Sequence, residues 1–274
     1  MQKSVIGACV FFCAIAASSA LAAASATKPS IQQQTPPYSQ EPLEIQSNSL
    51  GANFKGVSCR ELVTKIKKIN IRKDEFETST EYAERTEHVR SDVILGSYTG
   101  ASIMAFVPSG GLVSTSYNAD TGILKVTAPT VGSITTKINS EYIKSAVIEN
   151  DVKKIDKYEA SNAYGKKVLV EKGTFSICAL AFKNIPTLGY SQKIPRDFSI
   201  SLPPDEARKN KDNVGILYVT RLESPFLIDY TAYNKPTIDY PVESISTGDA
   251  IVVSLSQIWI FNRSTGDILQ KLGM

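Results

Sequence analysis

Few side chains in this chain are suited to breaking or making bonds. A single histidine, His88, stands among 274 residues. That removes most Ser-His-Asp, Cys-His and His-rich zinc arrangements unless His88 is the sole base. It follows Glu84 at i, i+4 on a predicted helix, and a surface ion pair accounts for it. No Gly-x-Ser-x-Gly elbow, phosphate loop or dinucleotide fingerprint occurs. Ser133 to Lys137 and Ser140 to Lys144 have the wrong spacing for a Ser-x-x-Lys acylase. Glycoside hydrolysis needs only two carboxylates, and Glu223, Asp229 and Asp239 are candidates, in β-rich segments whose spacing does not pair them. One tryptophan, Trp259, is few for a cleft that stacks sugar rings, although the 12 tyrosines substitute in part. Tyr218, Tyr230, Tyr233 and Tyr240 gather in the C-terminal third as a candidate contact surface for a ligand or protein. The competing expectation is that strand aromatics are half-buried packing. Asp74, Glu75 and Glu77 lack the Gly turn and alternating oxygen spacing of a calcium loop, so neither a metal nor a cofactor is expected.

The elements that must position these residues begin with a targeting signature. Lys3 supplies a positive start, Val5 to Ala17 an apolar run, and Ala24-Ser25-Ala26 a small-x-small peptidase site. Residues 1–26 therefore read as a cleaved secretory signal. The run is shorter than the roughly 20 apolar residues of a membrane span, and no later segment is long and apolar enough to be one. Cys9 and Cys13 go with the signal, leaving Cys59 and Cys178 to form one disulfide in an oxidising compartment. Of 30 Lys and Arg only Lys3 lies in the signal, so 29 basic groups face 27 acidic ones. That balance argues against a nucleic-acid partner.

Residues 27–51, rich in Pro, Gln and Ser, read as a flexible leader with too little apolar surface to offset ordering entropy. Ser58-Cys59-Arg60-Glu61 and Thr78-Ser79-Thr80-Glu81 both have the form of a capping box, predicting two short helices within about 59–91. Glu81 and Arg85 are spaced to pair on the second. From Asp92 onward β-rich runs alternate with Gly and Pro, including hairpins over 116–126 and 251–269. Strand candidates fall at 142–149, 167–171, 174–183, 214–222 and 226–232, and a further helix is expected near Pro203–Arg208. The polar stretch Asn150–Ala163 is the one internal boundary if residues 52–274 divide into two domains.

Lys73-Asp74-Glu75-Phe76-Glu77-Thr78-Ser79-Thr80-Glu81-Tyr82-Ala83-Glu84-Arg85 resembles a Phe-Glu-Thr-x-x-Glu-Tyr-x-x-Arg segment of secreted bacterial proteins of unknown function, with Ser79 where Thr is more usual. The resemblance implies a bacterial envelope protein and no particular activity. Physically the segment is a helix start: Phe76 is placed to staple onto the first turns, Thr78 and Glu81 close the cap, and Tyr82 packs inward. The fold expected is α+β, two short N-terminal helices followed by a mainly antiparallel β portion, sandwich-like or a mixed sheet. The function expected is a non-enzymatic binding or assembly module of the cell envelope, periplasmic or secreted, contacting envelope protein or glycan. The alternative is a carboxylate-dependent glycan hydrolase.

Overall fold

Ser58 and Thr78 start the helices through their side-chain oxygens, each accepting the backbone N–H three residues on. The computed structural model describes residues 38–69, 71, 73–109, 113–128, 132–135, 142–185 and 197–274. The expected signal and the first part of the leader lie outside them. Helix α1 is Cys59–Ile66, with Leu62, Val63 and Ile66 buried on one face. Helix α2 is Ser79–Glu87, whose capping box of Thr78 and Glu81 is complete. Phe76 does not staple it, being 87% exposed. Arg85 turns to Glu77 because Glu81 is already held by Thr78. His88 lies 3.9 Å from Asp92, not on Glu84.

The strands follow in the order β1 Val93–Leu95, β2 Tyr98–Thr99, β3 Met104–Phe106, β4 Ser114–Asn118, β5 Ile123–Thr127, β6 Gly132–Thr135, β7 Tyr142–Ser161, β8 Lys167–Phe182 and β9 Asp197–Ser201. Helix α3, Pro204–Asn210, precedes β10 Val214–Asn234, β11 Val242–Asn262 and β12 Ile268–Gly273. The main sheet has the order β3-β10-β11-β8-β7-β6, with β12 also on β11. Its β8–β11 contact is parallel while its other pairs are antiparallel, so the sheet is mixed. Strands β4, β5 and β9 form a second, antiparallel sheet.

Four of the strands are far longer than their sequence punctuation predicts. Gly173 does not interrupt β8, and β10 passes Pro225 through a bulge between Leu222 and Leu227. The bulge takes up the ladder bond that proline cannot donate. Asn150–Ala163 is no boundary either. Residues up to Ser161 belong to β7, paired with β8 to its end, and the described residues fall in one compact unit.

One face of the main sheet meets α1 and the small sheet in a single buried core that includes Leu62, Ile66, Leu124, Phe198, Leu180, Phe182, Tyr218 and Ile258. The disulfide Cys59–Cys178 pins α1 to β8 within this core, closing a separation of 119 residues. Beside it, Glu149 accepts the Cys59 N–H at 2.9 Å, capping α1, and its other oxygen holds Arg60 at 3.1 Å.

The opposite face corrects the reading of the leader. Leu43, Ile45, Leu50 and Phe54 pack over Leu217, Val219, Trp259 and Phe261. Backbone bonds from Leu43 to Ile103 and from Leu50 to Gly266 tie the segment down. Gly266 must be glycine: its φ is +85° and a Cβ would stand 2.0 Å from the Leu50 carbonyl. Ordering entropy is offset by placing four apolar groups on one apolar face.

Candidate functional site

Where α1 ends, the long strands do not. Lys67 on the last turn of the helix reaches Asp249 at 2.7 Å, and Arg60 reaches Asp151 at 2.8 Å. Past these anchors β7, β8, β10 and β11 continue as a tongue made of residues 150–161, 167–176, 229–234 and 242–248. At the usual rise per residue, β7 alone adds about 40 Å. Gly248 lets β11 approach β8 at its base, since a Cβ there would meet the Ile177 carbonyl at 1.9 Å.

A buried charge sits inside this tongue. Glu243 is 5% exposed although Tyr158 and Tyr233 beside it are exposed. The parallel register sets it beside Lys172, whose ammonium donates to Oε1 at 2.8 Å. Tyr158 donates to Oε2 at 2.7 Å, and Tyr233 approaches Oε1 at 3.4 Å. Each partner comes from a different strand: Lys172 directly opposite on β8, Tyr233 diagonally across the ladder on β10, and Tyr158 reaching over from β7. The Lys172 hydrogen bond, then that of Tyr158, hold the Glu243 carboxyl below its ordinary value of 4.5. The same carboxylate raises Lys172 and Tyr158. With its oxygens engaged, Glu243 is a clasp for four strands rather than a base. A carboxyl depressed by folding contributes stability that is present above its unfolded value and lost as pH falls through its folded one. Glu243→Gln is therefore expected to lower the thermal midpoint at pH 7, with the gap to wild type narrowing as the medium is acidified below about pH 4. A gap independent of pH would show that the charge is not the clasp.

The four tyrosines do not form one surface. Tyr218 is fully buried in the front core, and burial pushes its hydroxyl up. That hydroxyl has no hydrogen-bond partner among the described residues. Tyr230 is 8% exposed on the opposite face, among Ile177, Ile228 and Val252. Only Tyr233 and Tyr240, 54% and 60% exposed, face solvent, on the tongue and in the turn at its end. Tyr218→Phe is expected to leave the denaturation midpoint unchanged or raised, because the unpaired hydroxyl already bears a desolvation cost. A clear loss of stability would reveal a partner for it.

The proposed carboxylates are spread along β10: Glu223 in its bulge, Asp229 in its outer half and Asp239 in the turn that follows. Among the described residues no cluster of three His, Cys, Asp or Glu could hold a metal ion. An open depression of about 750 Å³ beside α2 is lined by Lys73, Asp74, Phe76, Glu77, Glu81 and Arg85 among others. Three of its acids serve the helix start. Glu77 is gripped by Arg85 at 2.6 and 2.8 Å, Glu81 accepts from Thr78, and Asp74 accepts the Phe76 N–H.

Sequence reasoning passed over Glu243 entirely. Its partner Tyr158 is 85 residues away, and no local spacing signals the pair. The exposed aliphatic residues Val152, Ile155 and Leu169 were equally visible only as parts of polar segments. No family model, curated protein or solved structure matches the chain.

Proposed function

We propose that this chain is an exported, non-enzymatic binding or assembly module of the bacterial envelope, and that its contact surface is the tongue. One observation carries the reading. Of the 11 large apolar side chains left exposed among the described residues, seven are Val152, Ile155, Tyr158, Tyr164, Leu169, Tyr233 and Tyr240. Scattered singly such residues mean little, but concentrated on one projecting element they mark an interaction site. Tyrosine and aliphatic groups over a braced backbone are the materials of a protein contact. Export rests on the signal signature of residues 1–26, and the Cys59–Cys178 bond suits an oxidising compartment. The resemblance of residues 73–85 to secreted bacterial proteins agrees with it. Among the described residues no helix is long and apolar enough to cross a membrane. In the depression beside α2, Asp74, Glu77 and Glu81 are committed to the helix start, which weighs against the glycan-hydrolase alternative.

The experiment is retention from an envelope extract, with peptidoglycan and outer-membrane proteins scored separately. Wild-type protein should retain a component of that extract, and Ile155→Lys with Leu169→Lys should lose it while keeping its thermal midpoint. If nothing is retained and glycan is cleaved instead, the reading fails.

A further inference from the structure

Two exposed tyrosine rings on the tongue are held by their hydroxyls. The pairing register sorts the outer residues of the tongue onto two faces. One carries Glu243, Lys172, Tyr158 and Tyr233, and the reverse carries Ile155 and Leu169. Tyr158 stands on β7 and Glu243 on β11, with β8 between them. Two strand spacings make about 10 Å, so the Tyr158 side chain has to lie along the sheet to bring its hydroxyl to Oε2 at 2.7 Å. Val170, directly opposite Tyr158 on β8, is buried, while Tyr158 itself stays 38% exposed. Tyr233 approaches Oε1 from β10 at 3.4 Å and is 54% exposed. The two hydroxyls converge on one carboxylate from opposite sides of β11, so the rings extend from it in opposite directions across the sheet.

The charges on this face are matched locally. Lys172 pairs with Glu243 at 2.8 Å, and Lys154 pairs with Asp156 at 2.7 Å. Thr174, Thr231 and Thr247 stand on the same face and supply hydroxyls. Fixed aromatic faces, hydroxyls and balanced charge suit a sugar. The face of an aromatic ring is the negative pole of its quadrupole. The C–H bonds on one side of a pyranose, polarised by the oxygens of the sugar, present the positive partner. Sugar hydroxyls at the rim then meet polar side chains. A polyanion gains little where these ammonium groups already face carboxylates. An apolar partner would strip water from both ion pairs and from the threonines.

We infer that this face of the tongue binds an uncharged chain of pyranose sugars, with one sugar stacked on Tyr158 and another on Tyr233. Two rings at separate places call for a chain rather than a single sugar. The inference rests on the tongue being a contact element and adds a ligand class for one of its faces.

Isothermal titration of the full chain, disulfide intact, with chitohexaose and with cellohexaose should show saturable binding to at least one of them. Tyr233→Ala should weaken that binding about tenfold, and Tyr233→Phe should leave it within about twofold, because the ring face does the binding. Tyr158→Ala should weaken it as much, with the thermal midpoint measured alongside. Should that variant unfold, the two Tyr233 variants decide. Co-sedimentation with purified peptidoglycan sacculi then separates wall glycan, which carries the protein down, from another envelope polysaccharide, for which the sacculi do not. Absence of binding to both oligosaccharides, or binding indifferent to Tyr233→Ala, overturns the proposal. The reverse-face variant, Ile155→Lys with Leu169→Lys, should bind the oligosaccharides as wild type does. Failure to bind sugar while a component of the envelope extract is still retained overturns this inference alone, so the two readings fail separately.

Discussion

Replacing Cys59 and Cys178 together with alanine is expected to cost about 4–5 kcal/mol. The bond spans 119 residues, and in the chain-entropy model so long a loop removes much of the freedom of the unfolded chain. It also fixes α1 against β8 at the point where the Glu149 carboxylate caps the helix and Arg60 bridges to Asp151. Once the bond is gone, those contacts must hold α1 by themselves. Denaturant titration should show the loss as a lower midpoint, and wild type in reductant should reproduce it. Thiol labelling of the native oxidised protein should leave both cysteines unmodified. A double variant within 1 kcal/mol of wild type would mean that the loop is already closed by other contacts in the unfolded chain.

Trp259→Ala is expected to cost about 3–5 kcal/mol and to release the leader. The indole is fully buried and donates to Gln257 Oε1 at 2.6 Å. The Lys271 ammonium sits 4.2 Å above its ring and donates as well to the Ile45 carbonyl at 2.8 Å. The tryptophan thus links the sheet face to the segment over it. Without it, Leu43, Ile45 and Leu50 lose the surface they cover. Limited proteolysis should then cut within residues 38–54 well before the strands, whereas the wild-type leader resists. Trp259→Phe should keep most of the stability by filling most of the volume. Unchanged protease resistance in the alanine variant would contradict the docking.

The parts legible in the sequence were those whose physics is local. A capping box fits within four residues, and both predicted helix starts stand at Ser58 and Thr78. The hairpin on Asn118–Gly122 has its turn chemistry in place, and the cysteine pair needed only a count. Features that depend on distant partners were not legible. The parallel contact of β8 with β11 has no sequence signal separate from any other strand pair. The outer half of β7 is exposed on both faces, so it lacks the alternation that announces a half-buried strand and resembles a linker. The leader looked too polar to fold because its apolar residues, among them Leu43, Ile45 and Leu50, are dispersed. The bulge before Leu227 left Tyr218 and Tyr230 buried on opposite faces, and only the far end of the strand put Tyr233 in solvent.

The most direct test of the central claim is site-specific photocrosslinking in the exporting cell. A photoreactive residue in place of Leu169 on the tongue is compared with one in place of Glu206 on α3, which is also exposed and lies outside the tongue. The expected result is a discrete adduct with an envelope component at Leu169 and none at Glu206, with the Leu169 adduct abolished by Ile155→Lys. Equal labelling at both positions, or an adduct at Glu206 alone, would contradict the assignment of the tongue as the contact surface.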